Sequence, residues 1–152
     1  MADRQRRYET LGILMTFHAF PDEVSDKYCL VEAVVPPGRG APPNHHAGET
    51  ETFVVVEGAL GFMVDGEEML VRAGESLRVP DGATHAFQAV GESAARVMIL
   101  NAPGHMHARF FTELGTPVVD DRRQPAPMDG PPDVARVARV AQEVGMTLVP
   151  PN

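Results

Sequence analysis

The sequence predicts an all-β sandwich or barrel followed by a C-terminal α-helix. Three observations point there. Between residues 11 and 101, short apolar or alternating stretches recur with turn signals between them, at spacings typical of antiparallel strands. Within that region Asp65-Gly66 is a hairpin signal, because a two-residue turn needs positive φ at both positions and this pair tolerates it. Beyond residue 101 the alternation stops, and a helical stripe follows a Pro- and Asp-rich connection.

Taken in order, the strand candidates are LGILMTFHAF, KYCLVEAVV, TETFVVVEG, ALGFMV, EEMLVRA, ESLRVP, HAFQAV and ARVMILN. They are separated by FPDEVSD, PPGRGAPP, Asp65-Gly66, Ala73-Gly74, PDGA and VGES, all rich in residues that favour turns. A two-residue turn at Asp65-Gly66 pairs Val64 with Glu67, Phe62 with Met69 and Leu60 with Val71. That register gathers Leu60, Phe62, Met69 and Val71 on one face. HARFFTELG suggests a short helix or turn capping the barrel. The last helix has Pro131, Pro132 and Asp133 at its start, Val134, Val137, Ala141 and Val144 on one stripe, and Gly145 as its stop. Arg136, Arg139 and Glu143 are expected to face solvent.

A chain of 152 residues is expected to form a single domain, with the barrel at about 11–101 and the linker and helix at 102–152. Its formal net charge of −8 opposes nucleic acid and anionic membrane as partners, since both require clustered Lys and Arg. A small neutral or weakly acidic ligand fits better. The apolar runs are too short to span a bilayer and MADRQRRYET lacks a signal peptide's apolar stretch, so a cytoplasmic protein is expected. Cys29 is the only cysteine, which excludes an intrachain disulfide and a cysteine-based zinc cluster.

The chemistry-bearing stretch is PNHHAGETE at 43–51. Side chains at i and i+2 of a strand share a face, so Asn44 and His46 point one way and His45 the other. Glu51 shares a face with Phe53 and Val55, and His85 follows the PDGA turn with Phe87 on its side. Two histidines and a carboxylate from separate strands form an N/O set suited to a borderline divalent metal.

These residues carry a family resemblance. Gly38, Asn44, His46, Glu51 and Gly58, then Gly74, Pro80, Gly82, His85 and Ala89, stand at the spacings of the two motifs of the cupins. The chain resembles a small single-domain cupin of the quercetin-dioxygenase-like branch, over roughly residues 28–101. The resemblance implies a double-stranded β-helix, or jelly-roll barrel, and one divalent transition metal per chain (Fe, Mn, Ni or Zn) at positions 44, 46, 51 and 85. Where the family has its first histidine, this chain has Asn44. Either the Asn44 side-chain oxygen completes the set as a weaker ligand, or a bulge swings His45 inward, or the pocket is metal-free. Asn44→His is expected to rebuild the family's full set and tighten metal binding without raising activity.

For function the resemblance implies an oxygenase acting on a small phenolic or enol-like aromatic substrate, with Glu51 taking the substrate proton and Phe53, Phe62 and Phe87 as apolar walls. The alternatives are a redox-neutral, metal-assisted polyketide cyclase, isomerase or lyase, and a metal-free binding protein. A homodimer is expected, with LGILMTFHAF as an element packed across it. His105 and His107, in GHMHARFF, are expected in a solvated loop where they share a face if extended, one of them a candidate substrate contact or spare ligand.

Overall fold

The computed structural model describes residues 3–150. It has two antiparallel sheets packed face to face, a jelly roll with two helices. The larger sheet runs β11 (Thr116–Pro117), β1 (Arg7–Thr10), β2 (Ile13–Ala19), β3 (Cys29–Val35), β10 (Ala95–Ala102), β5 (Thr50–Glu57), β8 (Ser76–Val79). The smaller runs β12 (Thr147–Leu148), β4 (Gly40–His45), β9 (His85–Ala89), β6 (Ala59–Val64), β7 (Glu67–Arg72).

Alternation is what holds the sheets together. Along β3, Cys29, Val31, Ala33 and Val35 face inward, and along β10 Ala95, Val97 and Ile99 do the same. Phe53, Phe62 and Phe87 meet in the middle as an aromatic trio, with ring centroids 4.8 to 5.9 Å apart. The β6–β7 hairpin has the expected register, Val64 opposite Glu67, Phe62 opposite Met69 and Leu60 opposite Val71. Its face is less uniform than expected, because Met69 is exposed while the other three are buried.

Four strands do not coincide with the expected stretches. β4 is GAPPNH, inside what reads as a turn; Pro42 and Pro43 have no N–H to donate, and the register shifts between Ala41 and Asn44. β1 is a short polar strand, and β11 and β12 are two-residue strands. β2 lies between β1 and β3, so both its hydrogen-bonding edges are used within the chain. Its apolar side chains, Phe17 and Met15 among them, fill the core and are not free to pack across a dimer.

Helix α2 (Val134–Val144) starts where Asp133 accepts the Arg136 N–H and stops at Gly145, whose φ of 99° suits glycine. Its buried stripe is Val137, Val140, Ala141 and Val144; Val134, expected there, is exposed. Helix α1 (His105–Leu114) turns HMHARFFTEL into a helix where a loop was expected for its first residues. A helix places residues 105 and 107 on different faces, so His105 is exposed and His107 buried. The two helices pack together over one end of the barrel, through Phe110 and the α2 stripe.

Candidate metal centre

Four polar side chains converge at that end. Glu51 is the first inward residue of β5, continuing the row of Phe53 and Val55, and Asn101 of β10 stands opposite it. His46 follows β4 and turns inward, buried at 2% exposure, while His45 stays half-buried. His85 opens β9 opposite Asn44, on the inward face shared with Phe87. His107 enters from α1.

The distances are those of groups sharing one centre. His107 Nε2 lies 2.6 Å from Glu51 Oε2, His46 Nε2 lies 3.5 Å from the same oxygen, and His85 Nε2 lies 3.9 Å from Oε1. His46 Nε2 and His85 Nε2 are 3.3 Å apart. His46, Glu51 and His107 form a group whose ligand atoms all lie within 4.8 Å of one another. Donors about 2.0–2.2 Å from one ion would stand roughly 3–4 Å apart, so the set is close to the size of a transition-metal shell.

Hydrogen bonds on the far side assign the tautomers. His46 Nδ1 donates to the Glu49 carbonyl at 3.1 Å, and His85 Nδ1 to the Ala83 carbonyl at 2.9 Å. His107 Nδ1 donates to Glu49 Oε1 at 2.6 Å. Each ring thus offers Nε2 toward the centre, the orientation that outer partners impose on metal-binding histidines. With both Nδ1 atoms donating, the Nε2 atoms of His46 and His85 face each other across 3.3 Å, a contact that suits a proton or a cation between them.

The electrostatics favour a cation as well. Burial alone would raise the pKa of Glu51, but the charge and hydrogen bonds of His107, with His46 and His85 nearby, hold it well below the usual carboxylate range. Glu49 is likewise lowered against its burial, by His107 and by the Met106 N–H. Burial works against an imidazolium at His107, yet Glu51 and Glu49 on its two nitrogens push it up to about 9. Burial lowers His85 despite Glu51. Two buried carboxylates face one imidazolium, leaving negative charge for an ion to neutralise. Donor set, tautomers and charge all fit a divalent metal.

Of the residues expected from the sequence, His46, Glu51 and His85 come together. Asn44 lines the adjoining cavity, and its amide nitrogen donates to the backbone carbonyls of Pro42 and His85. Phe87 lines that cavity, and Phe53 and Phe62 pack against Phe87 in the core. Glu49 and Asn101 were not expected as functional positions, and His107 was expected only as one of two candidates, with His105, for a substrate contact or spare ligand. A signal for His107 exists, since residues 107, 110, 111 and 114 form one helical stripe on which a histidine sits among Phe and Leu.

The cavity is about 40 Å³, and Ile13, Met15, Ile99, Phe110 and Phe111 line it together with Glu51, His85 and His107. Residues 31–101 match the cupin domain family. The chain carries a cupin domain over these residues. This cupin is 30% identical over 91 residues to quercetin 2,3-dioxygenase of Bacillus subtilis, a match covering 60% of this chain and 26% of that protein. It is 34% identical over 71 residues to polyketide synthase CurC of Streptomyces cyaneus, covering 47% of this chain and 46% of that one. The chain therefore spans less than half of these curated relatives. Among solved structures, a predicted oxalate decarboxylase from Thermotoga maritima superposes with a TM-score of 0.60 at 18% identity, over 67% of this chain and 98% of that one, a likeness of fold. No described helix is long and apolar enough to cross a membrane.

Proposed function

We propose that this cupin is a metal-dependent oxygenase acting on a small phenolic or enol-like aromatic compound. The observation that carries the reading is the fixed tautomer set: three imidazoles spend Nδ1 on oxygen acceptors, leaving Nε2 atoms to meet Glu51. A divalent Fe, Mn, Ni or Zn held there would acidify a substrate hydroxyl and, if redox-active, pass electrons between substrate and dioxygen.

The chain's own contribution is proton handling and exclusion of water. Glu51 Oε2 is occupied by the Asn101 amide at 2.8 Å and by His107 at 2.6 Å. Oε1 is the freer oxygen and is the atom that takes the substrate's proton. A phenol or enol suits this site because a bound metal would acidify its hydroxyl. Phe87, Ile99 and Phe111 present apolar surface to the ring of such a substrate. At about 40 Å³ the cavity has room for on the order of one water, so a ring enters only when its lining moves. The reading takes the working protein as a homodimer, which sedimentation equilibrium tests.

A redox-neutral cyclase, isomerase or lyase acting on a polyketide-like enol is the second reading, favoured by the similarity to CurC. One experiment separates them. Tag-free protein loaded in turn with iron(II), manganese, nickel or zinc is given flavonols and polyketide-like enols. Oxygen uptake matching substrate loss supports the oxygenase, and substrate loss without oxygen uptake supports the second reading. Binding without turnover under every metal contradicts both and leaves a small-molecule-binding cupin.

A further inference from the structure

Asn44 leaves the first motif one imidazole short, and its amide nitrogen is committed to the carbonyls of Pro42 and His85. An imidazole arrives from elsewhere. His107 lies beyond the matched residues 31–101, on α1, yet its ring packs edge-on against His46 at 4.4 Å and its Nε2 reaches Glu51. Resting on the metal reading above, we infer that His107 replaces the missing first-motif imidazole as a ligand, and that Glu49 is the positioning residue that makes the replacement work.

Glu49 is 2% exposed and lies between His46 and Glu51 in the chain. Its side chain acts on α1 twice. Oε2 accepts the Met106 N–H at 2.9 Å, satisfying one of the orphan donors at the start of the helix. Oε1 accepts from His107 Nδ1 at 2.6 Å and lies 3.4 Å from the His107 backbone nitrogen. The first contact fixes where the helix begins and how it is rotated. The second fixes the ring, so that Nε2 faces the centre. The negative charge also suits the positive end of the helix. The backbone carbonyl of the same residue holds His46 Nδ1, so Glu49 orients two imidazoles by independent groups. Replacing its side chain therefore disturbs His107 and leaves the His46 contact in place.

The test counts coordinated imidazoles by pulsed EPR in copper(II)-loaded protein. Wild type is expected to show three, from His46, His85 and His107. Glu49→Gln keeps three, because an amide oxygen still accepts from Nδ1–H. Glu49→Ala and His107→Ala each drop to two, with copper bound roughly 10–100-fold more weakly, the range for lost outer partners of metal-ligating histidines. Adding Asn44→His to His107→Ala restores the third imidazole, whereas Asn44→His alone gains little because the place is taken. Two imidazoles in wild type, three in His107→Ala, or no recovery in the double variant overturns the inference. Should an alanine variant not fold, the wild-type count and Glu49→Gln still decide. Copper that binds wild type with two imidazoles contradicts the role of His107 alone, whereas failure of wild type to bind any copper contradicts the metal reading itself.

Discussion

His107 Nε2 lies 2.6 Å from Glu51 Oε2, both side chains being buried, so a helix from outside the matched cupin region meets a barrel strand through its polar group. Below about pH 9 this contact holds a proton, which an ion bound at the centre would displace.

Metal uptake is therefore expected to depend on pH. With His107 raised to about 9, the apparent affinity should climb about tenfold per pH unit below that value and level off above it. The stability of chelated protein should run the other way. A group raised from 6.5 contributes its full stability below 6.5 and loses it as pH rises through about 9. Nickel titrations and urea unfolding at pH 6, 7.5 and 9 check both slopes, and His107→Gln should flatten each.

Asn101 is fully buried and donates to Glu51 at 2.8 Å, while its Oδ1 has no partner among the described residues. Asn101→Leu is expected to raise the pKa of Glu51 and cost about 1–3 kcal/mol in urea unfolding. A smaller loss than that, with unchanged metal binding, would mean that the amide does not hold Glu51.

Gly104 starts α1 with a φ of 94°, and an added Cβ would lie 2.5 Å from Cys29 Cβ and 2.7 Å from its backbone nitrogen. Gly104→Ala is expected to lose about 1–3 kcal/mol of stability and to weaken metal binding, because the start of α1 is what aims His107. Thermal unfolding and a nickel titration on the same preparation measure the two effects together.

Burial, reinforced by Glu49, pushes the Cys29 thiol up to about 12. Iodoacetamide at pH 8 should leave native protein unlabelled and alkylate it in urea, read by intact mass. Rapid labelling of the native protein would show that the Cys29 environment opens.

Much of this was legible in residue order. Eight strand stretches, the Asp65-Gly66 register and the capped terminal helix follow from period, turn chemistry and Asp133 with Gly145. Strand parity puts Glu51 and His85 on inward faces because they continue the buried rows of Phe53 and Phe87, and His46 turns inward just beyond β4. β4 was illegible because two prolines read as a turn, although β9 and β12 pair with that strand around them. The placement of His107 depends on how the chain crosses the barrel end after β10, which no local pattern specifies. Only the Phe and Leu spacing along α1 hinted that its histidine faces inward.

The most direct measurement is thermal unfolding of tag-free wild type, His46→Ala and Glu51→Ala, each chelated and then given nickel(II) at ~100 times its wild-type Kd. An ion that binds only folded protein at that level adds about 2.7 kcal/mol, or roughly 5–10 °C in Tm for a chain of this size. The wild type should show that rise and both variants should lose it. A wild-type Tm that does not move, or an equal rise in His46→Ala, would contradict a metal centre built on His46, Glu51, His85 and His107.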